Sequence, residues 1–192
     1  MPDVSHHQRT QASQPAKLPQ GLDAIAHSVA GALGSRVSLR ALRDEAMRIQ
    51  SQAEEFQDLR DSELAQRMKL LREAFRRRGS GAKPHEAEAL ALTVEAARRK
   101  TGLKAHLEQI MGALAIRRQC LVEMATGEGK TLTIALAAVG LGWTRHPLHI
   151  ITANDYLAAR DGKSLRKFYE FCGVSVAYVT GGMVSDERRT SY

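Results

Sequence analysis

Two cysteines in 192 residues are too few for a disulfide framework. Cys120 falls in an expected strand and Cys172 at an expected helix end, so both read as buried thiols of a reducing compartment, not as a bridge or a metal site. No apolar run approaches the roughly 20 residues of a membrane span. The first residues, Met1-Pro-Asp-Val-Ser-His-His, lack the basic-then-apolar layout of a secretory signal. These absences favour the cytoplasm. There is no internal repeat.

What is present suits a globular chain with a sizeable core: 43% hydrophobic and 26% charged residues. The net charge of +7 is concentrated upstream, where residues 36–104 carry 16 Lys/Arg against 11 Asp/Glu. Such a basic helical region suits an acidic partner, whether anionic lipid, nucleic acid or an acidic protein face, and equally a solvated surface.

Residues 1–20 are polar and proline-bearing, which predicts a disordered tail; His6 and His7 within it read as solvated. Helical spacing of Leu22, Ile25, Ala26, Val29 and Leu33 predicts a short amphipathic helix. Its polar face lacks the Lys/Arg that would hold it on a membrane, so packing on the domain is expected. Three further helical stripes follow. The first is Leu39, Leu42, Ala46, Ile49, Ala53 and Phe56. The second is Leu64, Met68, Leu71 and Phe75, with Asp61 or Ser62 as N-cap and Gly79 as the stop. The third spans about 86–100 with Leu90, Val94 and Ala97 inward, ending near Gly102. Arg76-Arg77-Arg78 suits the C-terminal end of a helix dipole. Leu103, Leu107, Ile110 and Leu114 suggest another helix.

The stretch Cys120–Ala138 organises the rest. Leu121 and Val122 read as a buried strand, Thr126-Gly127-Glu128-Gly129 as a tight turn, and Lys130-Thr131 as the opening of an apolar helix. This strand–loop–helix layout is that of a nucleoside-triphosphate site. Glycines let backbone N–H groups cradle phosphate oxygens, and the helix N-terminus adds positive charge. Lys130 would meet the β- and γ-phosphates, and the Thr131 hydroxyl would bind Mg²⁺. The usual first glycine of the pattern is Met124 here. Downstream, Leu148–Thr152 reads as a second strand, Asn154 or Asp155 as the cap of a helix running to Cys172, and Val174, Val176 and Tyr178 as a third strand. Strand, helix and strand in alternation predict an α/β fold: a helical N-terminal segment, residues 21–104, then the first half of a P-loop motor domain with a parallel sheet, residues 105–192.

Three stretches resemble the SecA family, the ATP-driven motors of bacterial protein export. They are Glu123–Thr133, Thr152–Asp161 (Thr-Ala-Asn-Asp-Tyr-Leu-Ala-Ala-Arg-Asp), and Glu88–Leu103 followed by Gln109. The second is highly specific, because nothing in phosphate chemistry forces it. Similarity runs from about residue 36 to the end. The resemblance puts the adenine-reading glutamine at Gln109, whose amide can pair with adenine's donor and acceptor edge together. It puts the phosphate-loop roles on Gly127, Glu128, Gly129, Lys130 and Thr131, with ATP and Mg²⁺ as cofactors. Ala125 stands where the family usually has arginine, and Ala105–Glu108 departs from the family's usual stretch before the glutamine. The resemblance further implies a translocating ATPase at the inner face of the cell membrane, with the protein-conducting channel, preproteins and anionic lipid as partners. It implies no nucleic acid and leaves homodimerisation open. In the family, the metal-holding aspartate–glutamate pair and the second motor domain lie further along, so the chain is expected to be an N-terminal portion of such a motor, inactive alone. A DEAD-box-type helicase is the competing reading; Asp155 would repel strand phosphates and weighs against it. A non-catalytic nucleotide-binding remnant is the third.

Overall fold

The computed structural model describes residues 37–78, 84–144 and 146–191. The expected tail, the helix at 22–34 and the Gly79 stop lie outside the described residues. Residues from Val37 onward make one compact unit.

Its helices are α1 (Leu39–Glu55), α2 (Asp61–Arg78), α3 (Glu86–Thr101), α4 (Leu107–Arg117), α5 (Lys130–Gly142), α6 (Asp155–Ser164), α7 (Arg166–Phe171) and α8 (Ser185–Ser191), with a 3-10 turn at Phe56–Asp58. α3 is the centre. All residues from Ala89 to Ala97 are buried, so it is enclosed on every side rather than amphipathic. α1, α2, α5 and α7 all pack on it, and α4 packs on α1 and α5. α1 contributes Leu42, Ala46, Ile49 and Ala53 at helical spacing, while Leu39 on its first turn stays exposed. α2 contributes Leu64, Met68, Leu71 and Phe75. Gly102 and Gly173, at φ 74° and 71°, end α3 and α7 in the left-handed region where glycine carries no Cβ penalty.

The parallel sheet is not formed: among the described residues none is in a strand, and the fold is helical. The segments around Leu121, Leu148–Thr152 and Val174–Tyr178 run as irregular chain between helices. A strand exists only through a ladder with a neighbour, and among the described residues no ladder joins these runs. Instead Leu121 is fully exposed and Ile151 is 94% exposed. Apolar patterning reported a demand for burial, which a run of four or five residues cannot convert into a ladder by itself.

Two smaller expectations also change. Arg60, not Asp61 or Ser62, occupies the position before α2: its carbonyl accepts from the N–H groups of Glu63 and Leu64, and Glu63 reaches back to the Arg60 N–H. Asp61 is drawn away because its carboxylate accepts from Arg99 Nη1 at 2.8 Å and Lys100 Nζ at 2.7 Å. The helix expected from Asn154 to Cys172 breaks at Ser164–Leu165 into α6 and α7.

One carboxylate is enclosed in the core. Glu95 is 1% exposed and accepts from Arg98 at 2.8 Å twice and from Arg99 at 2.6 Å. Burial pushes its carboxyl up, but the two guanidiniums outweigh burial and hold it below the ordinary 4.5. A depressed folded-state value means that the contribution is full above the ordinary glutamate range and fades as pH falls through it. Glu95→Ala is therefore expected to lower unfolding free energy by about 3 kcal/mol at neutral pH. The deficit against wild type should shrink near pH 3. Urea titrations at both pH values check this; an equal deficit at both would remove the ionised carboxylate as the cause.

Candidate nucleotide site

The loop 125–129 is built on its own side chains. Glu128 N–H turns back to the Ala125 carbonyl at 3.3 Å, while Glu128 Oε2 accepts from the Ala125 N–H at 2.8 Å. Gly127 and Gly129 sit at φ 93° and 81°, a backbone conformation that residues other than glycine rarely adopt. Gly129 is also the N-cap of α5, a 13-residue helix. Among the described residues, no carbonyl accepts from the N–H groups of Gly127, Gly129, Lys130 or Thr131. Donors of this kind at the positive end of a helix are chemically able to meet an anion. Lys130 Nζ donates to the Ala125 carbonyl at 2.7 Å, so the ammonium already lies over the loop. Thr131 stands half-buried in the first turn of α5.

Gln109 enters from α4. It is 8% exposed, and both ends of its amide are engaged. Oε1 accepts from the His106 N–H at 3.0 Å, closing the first turn of α4. Nε2 donates to the Glu128 carbonyl at 2.9 Å. A Cβ on Gly129 would overlap Nε2 and displace the Gln109 amide, in addition to the strain of its own φ. The structure thus brings Gln109, Glu128, Gly129 and Lys130 together at one helix end, with Gly127 and Thr131 as chain neighbours in the same loop and turn.

The N-terminus of α5 is held in place from below. Trp143, at its C-terminal end, is buried, donates from Nε1 to the Cys172 carbonyl at 2.8 Å and meets Phe75 edge-on at 5.6 Å. The side chain of Arg117 of α4 is 4% exposed, pairs with Glu86 at 2.8 Å and lies over the Phe75 ring. Cys172 is buried as expected, which pushes its thiol pKa up, whereas Cys120 is only partly buried.

The stretch Thr152–Asp161 does a different job. Asn154 is the N-cap of α6 and accepts from the Leu157 N–H at 2.9 Å. Asp155 Oδ2 accepts from the Gly181 N–H at 2.8 Å, and Arg188 donates to the Gly181 carbonyl. The motif ties α6 to the glycine loop before α8. Sequence reading missed Gly112 of α4 and Thr133 of α5, which meet one turn below Gln109. The available signal was a glycine at three residues from Gln109, inside a helix where glycine is unfavourable.

With that geometry in place, the chain can be set beside known proteins. The family model of the SecA DEAD-like domain matches residues 29–192. The chain belongs to the SecA family. Protein translocase subunit SecA 2 of Chlorobium chlorochromatii is 44% identical over 180 residues, covering 93% of this chain and 27% of that protein. SecA 2 of Magnetococcus marinus is 38% identical, with 93% and 28% covered. SecA of Rickettsia massiliae is 37% identical, with 81% and 17% covered. The chain therefore spans little more than a quarter of the length of the two SecA 2 relatives, and 17% of the SecA of Rickettsia massiliae. No helix among the described residues is long and apolar enough to cross a membrane.

Proposed function

We propose that this chain is the ATP-binding N-terminal part of a SecA-like motor that couples ATP hydrolysis to protein export. The observation that carries the reading is the convergence of the Gln109 amide, the left-handed glycine loop and the Lys130 ammonium at the N-terminus of α5. In this reading Gln109 reads the adenine edge. The N–H groups of Gly127, Gly129, Lys130 and Thr131 hold phosphate oxygens, with Glu128 fixing the turn. Lys130 would leave the Ala125 carbonyl for the β- and γ-phosphates, and the Thr131 hydroxyl would hold Mg²⁺, whose chemistry would be neutralisation of phosphate charge. The relatives' name, protein translocase subunit, supports preproteins and a translocation machinery as partners; a membrane channel and an anionic inner membrane face are part of the proposal itself.

Gln109→Ala tests the base pocket. It is expected to lower the preference for ATP over GTP by about tenfold, the size of one lost hydrogen bond to the base, and to spare most of the phosphate affinity. Calorimetric titration of both nucleotides reads the ratio. A ratio equal to wild type removes Gln109 from base recognition.

A further inference from the structure

α4 and α5 meet at three levels, and at each a glycine of one helix faces a side chain of the other. Gly129 faces Gln109, Gly112 faces Thr133, and Gly140 faces Arg117. The middle contact is the tightest apolar one. A Cβ on Gly112 would come to 2.7 Å from Thr133 Cγ2, with Met124 Sδ and Val122 Cγ1 next at 3.6 and 3.7 Å. Thr133 has nowhere to turn. It is 1% exposed, its Oγ1 donates to the Gly129 carbonyl at 3.3 Å, and a β-branched side chain on a helix has few rotamers. Gly112 follows Gln109 by three residues and Thr133 follows Gly129 by four, so each pair shares a helix face. The four residues close a ring: Gln109 against Gly129, Gly129 bonded to Thr133, Thr133 seated on Gly112, and Gly112 one turn from Gln109.

We propose that Gly112 is a positioning residue: by lacking a side chain it seats the Thr133 methyl against α4 and so sets the reach of Gln109 to the phosphate loop. Glycine inside a helix is unfavourable against alanine, so space and not propensity explains it. The consequence for nucleotide choice rests on the ATP-binding reading above; the placement of the Gln109 amide does not.

The test compares wild type, Gly112→Ala, Thr133→Ser and the double variant in the 192-residue chain. Thr133→Ser removes the one atom that a Cβ at Gly112 would overlap, so the double variant moves a methyl across the interface at constant volume. Two readouts are taken: hydrogen exchange of the Gln109 side-chain amide by NMR without nucleotide, and the ATP-to-GTP affinity ratio. Gly112→Ala is expected to lose the protection of the Gln109 amide and about tenfold of the ratio, the size of its hydrogen bond. The double variant is expected to recover both. A protected amide in Gly112→Ala, or no recovery in the double variant, overturns the proposal, even if melting followed by Trp143 fluorescence shows lowered stability. If Gly112→Ala fails to fold, the double variant decides: folded with a protected amide supports the proposal, unfolded overturns it. A wild type that prefers neither nucleotide would sink the ATP reading, while the amide readout still decides the placement.

Discussion

Replacing Lys130 by alanine is expected to weaken ATP binding about 100-fold. A charge-assisted hydrogen bond is worth roughly 1.5–3 kcal/mol, and the ammonium is positioned for contacts on two phosphates. The loop itself should survive the change. Its turn is set by the left-handed glycines and by Glu128 on the Ala125 N–H, neither of which uses the lysine. What is lost is the bond from Nζ to the Ala125 carbonyl, on an exposed loop where water replaces it. A folded variant with an intact loop and a missing cation is the cleanest test of the site. Calorimetry with ATP and with ADP should show the larger deficit for ATP, which carries the γ-phosphate. Equal ATP affinity for Lys130→Ala and wild type would mean that phosphate is not held at the N-terminus of α5.

The helices were legible because helical periodicity is local. Ala46, Ile49 and Ala53, or Leu64, Met68 and Leu71, define a face whatever they meet, and Gly102, Gly173 and Asn154 mark ends by their own backbone chemistry. The glycine turn and the helix after it were legible for the same reason: Gly127, Gly129, Lys130 and the helix are neighbours in sequence. Contacts between distant residues were not. Asp61 was a good cap on paper, yet Arg99 and Lys100, 38 and 39 residues away, took its carboxylate. The sheet was read from short apolar runs, whose strand pairing depends on partners that no local pattern names. Gly112 was invisible because its meaning lies wholly in Thr133 across the helix interface. Gln109 was found by resemblance; its geometry then supplied a second role, since the amide that is proposed to read adenine also ties α4 to the Glu128 carbonyl.

The 192-residue polypeptide alone is expected to bind nucleotide and to turn it over at close to the background rate. Phosphoryl transfer needs charge placed on both sides of the transferred group, and an arginine finger alone is worth about 10³–10⁵ in rate. The proposed site supplies a phosphate cradle, one ammonium and one metal-binding hydroxyl. Three acidic residues of the two motif stretches are engaged in other contacts. Asp155 accepts from the Gly181 N–H and Asp161 pairs with Arg160 at 2.7 Å, both on α6. Glu128 is spent on the Ala125 N–H. Among the described residues, no group of three or more His, Cys, Asp or Glu side chains is placed to hold a metal ion. Binding and turnover should therefore separate in this chain, with calorimetric affinity for ATP–Mg²⁺ that Lys130→Ala weakens, and no matching burst of phosphate. A single-turnover assay with the purified chain in excess over labelled ATP reads the second quantity. Sustained hydrolysis on the order of 1 s⁻¹, abolished by Lys130→Ala, would show a complete catalytic site within these residues and refute the separation.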